Sequence, residues 1–143
     1  MDARSVNLVQ HSFEKVALSG RAVAEIFYSE LFSIDPSLRS MFSTNMVEQH
    51  KKLLASLVFV VRSLHTPEAI LDQVKMLAVK HVRYGVMPEH YTYVGNALLR
   101  TLKKSLGAEF TPEVRQAWVD AYRMLAGVMK QEAYGESRLR GAA

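Results

Sequence analysis

Apolar side chains recur at steps of three and four along almost the whole chain, the period of a helix that buries one face. With their start and stop signals, these stripes predict helices over about 4–18, 20–34, 36–42, 46–65, 67–83, 88–106 and 111–134. Asp35-Pro36, Thr66-Pro67 and Thr111-Pro112 each place an N-capping side chain before a proline at the first helical position. Pro88 opens a helix without an obvious cap, and Gly107 stops one after Leu106. No period-two stretch bounded by turn signals occurs, so no sheet is predicted. Residues 135–143 are small, polar and basic, a tail expected to fray. Several long helical segments within one domain predict an all-α fold with helices packed at angles.

Some polar residues continue the apolar stripes. Ile70, Val74 and Leu77 lead at the next step of four to His81, flanked by Lys80 and Arg83. Ala24, Tyr28 and Phe32 share a face, so the Tyr28 hydroxyl points inward and needs a partner. Gln49 lies one step before Leu53, Leu57, Val61 and Leu64, at the mouth of their face; His50, rotated by about 100°, is expected to face away. Trp118, Tyr122, Leu125 and Met129 lead on to Glu132, which is expected to point inward. Tyr91 begins the side shared by Val94, Leu98, Leu102 and Leu106. Taken singly, each has an ordinary reading: a core histidine, core tyrosines, solvated stripe ends. The joint pattern favours function, with a donor pair on two helices and a histidine accompanied by a carboxylate and a tyrosine. His11, His50, His65 and His90 are scattered and give no cluster signal.

Composition narrows the chemistry. The 143 residues suit one domain, and 49% apolar against 22% charged residues argues against disorder. Cysteine is absent, which excludes disulfides, thiolate metal sites and cysteine nucleophiles. No zinc-type histidine spacing or glycine-rich phosphate loop occurs. The longest apolar run, Leu53 to Val61, is too short to span a bilayer. The N-terminus has no signal-peptide core, so a cytoplasmic protein is expected. The net charge of +4 is spread over many helices, so no nucleic-acid partner is expected.

The string Ile26-Phe27-Tyr28-Ser29-Glu30-Leu31-Phe32, followed by Asp35-Pro36 and Met41-Phe42, resembles the globin family. So do Lys80-His81, the run Pro88 to Gly95, and Ala117-Trp118 with Ala121-Tyr122. In order and spacing the set is similar to bacterial single-domain globins and to the haem domain of flavohaemoglobins. The resemblance implies a three-on-three globin domain over 1–134, followed by the tail 135–143. It implies haem b (iron protoporphyrin IX) as cofactor and His81 as the iron's proximal ligand. Phe42 would pack on the haem face. Tyr28, Gln49 and Leu53 match the distal tyrosine, glutamine and leucine. Lys80 and Tyr91 match the residues flanking the proximal side, and Val86 and Val94 fall on apolar haem contacts. Two features depart from the family. The stretch between Phe42 and Gln49 is short, so the short helix there is expected to be missing. The family's proximal glutamate would fall on Ala133, one residue after Glu132.

In that frame an apolar slot between the 46–65 and 67–83 helices takes the haem disc, and Lys80 or Arg83 pairs with a propionate. Glu132, steadied by Tyr91, would act on the proximal imidazole and favour oxygen activation over storage. Tyr28 and Gln49 would donate to bound dioxygen. The implied functions are reversible binding or transport of dioxygen, with nitric oxide and carbon monoxide as further ligands, and nitric oxide dioxygenation, a detoxification. The chain as given carries no flavin or nicotinamide domain, so turnover would need an external reductase, which the basic surface could dock. A haem-free helical sensor or interaction module, with His81 as a core residue, is the alternative.

Overall fold

The computed structural model describes the backbone of residues 1–42, 45–83 and 85–142, and the side chains of these except 83 and 135–142. It contains α1 (Ala3–Ala17), α2 (Gly20–Ile34), α3 (Met46–Arg62), α4 (Leu71–Arg83), α5 (Pro88–Leu106) and α6 (Pro112–Ala142). Short 3-10 turns occupy Pro36–Met41, Pro67–Ile70 and Gly107–Glu109, and no strand occurs among the described residues.

Local chemistry explains most boundaries. Asp2 accepts from the Ser5 N–H at 2.8 Å, Asp35 from Ser37 at 3.0 Å, and Thr111 Oγ1 from Val114 at 3.2 Å. Thr66 makes no side-chain cap, and its segment begins as a 3-10 turn, so α4 starts four residues after Pro67. The cap missing from the sequence of α5 comes from within the helix: the Met87 N–H donates to His90 Nδ1 at 2.9 Å. Gly107 ends α5 at a φ of +58°, a conformation that favours glycine. The helix predicted over 46–65 stops at Arg62, and His65 Nε2 lies 3.0 Å from Gln10 Oε1 on α1. α6 runs to Ala142, past the end of its apolar pattern.

α2 packs on α5, α1 and α4 both pack on α6, and α3 packs on α2 and α1. The larger core is built by α1, α2, α5, the first half of α6 and Val61 of α3. Its one buried indole is satisfied, because Trp118 Nε1 donates to Ser12 Oγ at 2.9 Å and Ser12 donates to Leu8 and Val9 carbonyls. A second, smaller core joins Ile70, Val74 and Ala78 to Tyr91, Ala126 and Met129. Tyr122 packs against both. Gly95 admits its ring, since a Cβ there would lie 2.7 Å from a Tyr122 ring carbon.

Candidate functional site

Two cores in one small fold leave a seam between them. α3 and α4 share no extensive packed interface among the described residues. Phe42, Leu53, Leu57 and Val94 pack on the larger core, and Leu77 and Val86 on the smaller one, yet each is only half-buried. This apolar surface is short of cover, and an apolar ligand would supply it.

On the α4 side, His81 is half-buried with Nδ1 2.7 Å from the Leu77 carbonyl oxygen. A carbonyl only accepts, so Nδ1 carries the hydrogen and Nε2 is left with a lone pair for a metal. The chain then turns back: Val86 N–H donates to the His81 carbonyl, and the Tyr134 hydroxyl donates to the Val86 carbonyl at 2.6 Å. Lys80 is exposed, and the side chain of Arg83 lies outside the described residues. Tyr91 is 6% exposed, and its hydroxyl has no hydrogen-bond partner among the described residues. Burial, with a smaller effect from Tyr134, pushes that hydroxyl up to about 12. Lys130 Nζ sits 5.8 Å from the centre of the Tyr91 ring.

On the other side, Tyr28 is 7% exposed, and its hydroxyl donates to the Gln49 main-chain carbonyl at 3.4 Å, a long bond. Burial raises this hydroxyl to about 12, so it remains a donor at neutral pH. Phe42 meets the Tyr28 ring edge-on at 5.3 Å. Gln49 is half-buried.

The globin family profile matches residues 25–129. This chain is a globin. It is 32% identical over 130 residues to a flavohemoprotein of Xylella fastidiosa, covering 88% of this chain and 32% of that one. It is 32% identical to a flavohemoprotein of Rhizobium meliloti over 96% of this chain and 36% of the relative. It thus spans about a third of the length of these curated relatives. An engineered carbene transferase derived from a Rhodothermus marinus protein superposes with a TM-score of 0.85 at 26% identity, covering 99% of both chains. A bacterial globin from Campylobacter jejuni shares the fold, with a TM-score of 0.83 at 23% identity over 96% of this chain and 99% of that one.

Globins bind haem, and the residues here fit that group. His81 presents a second ring nitrogen, the seam offers apolar cover, and the Tyr91 hydroxyl, buried without a partner among the described residues, lies in the core that carries α4. Two expectations need correction. Glu132 does not point inward; it is exposed. The buried stripe of α6 goes through Ala126 and Met129 to Ala133, because the step of four places Ala133 closer to the packed face than the step of three places Glu132. His50 does not face away: its ring is 5.4 Å from the Tyr28 ring at 26°. Met46, His50, Leu53 and Leu57 follow steps of four, three and four, a stripe as regular as the one through Gln49. Tyr134 also escaped the apolar pattern: it follows Lys130 by one turn, yet it packs on the smaller core. The expected loss of a short helix after Phe42 falls partly on residues 43 and 44, outside the described residues; Asn45 is already the cap of α3.

Proposed function

We propose that this globin holds haem b through His81 Nε2 and reversibly binds dioxygen, with nitric oxide and carbon monoxide as alternative ligands. The observation that carries the reading is the 2.7 Å bond from His81 Nδ1 to the Leu77 carbonyl, which fixes the ring and frees the other nitrogen. When bound, haem supplies an iron with an open position for a diatomic gas. Phe42, Leu53, Val86 and Val94 give the disc apolar cover and exclude water, and Lys80 is an exposed cation that can pair with a propionate. Tyr28, kept protonated by burial, donates to a ligand that carries negative charge, and Gln49 adds an amide donor beside it. Charge-assisted bonds of this kind contribute about 1.5–3 kcal/mol each and slow the ligand's release.

Nitric oxide dioxygenation is the enzymatic form of the same proposal: dioxygen, nitric oxide and one electron yield nitrate. The similarity to flavohemoproteins and to a relative described as a candidate nitric oxide dioxygenase supports it. The electron would come from an external reductase, for which the net +4 surface offers attraction to an acidic partner. Support of His81 by the Leu77 carbonyl favours reversible binding over oxygen activation. No described helix is long and apolar enough to cross a membrane, and the cytoplasm is the proposed compartment. Stopped-flow mixing of the oxygenated protein with nitric oxide tests both forms. Stoichiometric nitrate in a single turnover, becoming catalytic only with a reductase, is the expected result. Oxygen uptake that cannot be reversed by removing the gas would contradict reversible binding.

A further inference from the structure

Tyr28 sits in a box of four rings. Phe27 and Phe42 meet it edge-on at 5.2 and 5.3 Å, while Phe32 and His50 lie nearer parallel to it, at 5.9 Å and 34° and at 5.4 Å and 26°. Phe27 and Phe32 belong to its own helix, and Phe42 follows the next turn. His50 is therefore the wall that comes from α3, the helix that also carries Gln49. The hydroxyl itself is poorly anchored by the described residues, because its hydrogen bond to the Gln49 carbonyl spans 3.4 Å. Such a bond restrains the ring weakly, so the direction of the hydroxyl depends on how the ring is packed.

We propose that His50 is a positioning residue for Tyr28: its imidazole face stacks on the phenol and fixes where the donor points. The proposal rests on Tyr28 serving the gas-binding side of a haem globin. It makes α3 bear on gas retention through the packing of a ring as well as through the Gln49 amide.

The planar face is the working part, so a planar replacement should preserve the effect and a branched aliphatic one should not. In the haem-loaded protein, His50→Leu should release oxygen roughly three- to thirtyfold faster, while His50→Phe should stay within about twofold of the wild type. Carbon monoxide release, which depends less on a donor, should change little in either. In a Tyr28→Phe background the His50→Leu effect on oxygen release should vanish, because there is no hydroxyl left to position. Nuclear Overhauser contacts between the Tyr28 and His50 rings in the carbon-monoxide form give a readout independent of gas kinetics. Absent contacts, an unchanged rate in His50→Leu, or an effect that survives undiminished in Tyr28→Phe would each overturn the proposal. Equal acceleration in His50→Phe and His50→Leu would also overturn it, by assigning the effect to a ring nitrogen. A wild type without a haem spectrum would instead overturn the underlying haem reading.

Discussion

Tyr91 and Ala133 occupy one small core, and the Tyr91 hydroxyl buried in it has no partner among the described residues. The neighbouring carboxylate, Glu132, is turned to solvent. The His81 imidazole, the proposed iron ligand, thus has a main-chain carbonyl as its partner among the described residues.

Glu132→Gln should leave the iron–histidine stretch unchanged in resonance Raman spectra of the reduced, haem-loaded protein. An exposed side chain exerts little influence on a ring held by Leu77. Ala133→Glu should instead move that stretch, by placing a carboxylate in the core that holds Tyr91. A downward shift in Glu132→Gln would show that the carboxylate reaches His81 after all.

Tyr91→Phe should keep the protein's stability or raise it by about 1 kcal/mol, since it removes a buried hydroxyl that makes no bond among the described residues. The urea midpoint gives the answer. A clear fall would show that the hydroxyl has a partner in the folded protein, the role the resemblance implied for Tyr91.

Much of this was legible in the sequence because helix periodicity and capping are local. Counting threes and fours along apolar stripes singles out His81 and Tyr28 as polar residues on inner faces, and the resemblance gives them their expected roles. Glu132 and His50 were misplaced for one reason: a helix face is wider than a single row. At a stripe's end, steps of three and four lead to different neighbours, and only the packing of α6 on α4 and of α3 on α2 decides between them. The partnerless Tyr91 hydroxyl was not legible, since it depends on what three helices bring together.

Tyr28→Phe should speed oxygen dissociation by roughly 10- to 100-fold, from the loss of a bond of about 1.5–3 kcal/mol. Association should change little, because the ring is kept. Gln49→Leu should have a smaller effect, and carbon monoxide should respond less than oxygen in both. Stopped-flow dissociation rates decide this, and an unchanged rate in Tyr28→Phe would reduce that residue to packing.

Stability should fall at alkaline pH. Burial holds the Tyr28 and Tyr91 hydroxyls at about 12, against about 10 for an unfolded tyrosine. The folded state binds these protons more tightly, so their contribution is complete below about pH 10 and is lost as pH rises through the folded values. Urea midpoints between about pH 9 and pH 12 should decline, and less so in Tyr28→Phe. A flat profile would show that the phenols are not shielded.

The most direct measurement is the visible absorption spectrum of the haem-loaded protein, reduced and then saturated with carbon monoxide, compared with His81→Ala. The wild type should take up one haem and show a sharp Soret shift on adding carbon monoxide. His81→Ala should retain haem poorly, because the substitution deletes the proposed iron ligand, while its fold persists, because the side chain is only half-buried. Full haem retention with an unaltered spectrum in His81→Ala, or no haem uptake by the wild type, would contradict the account.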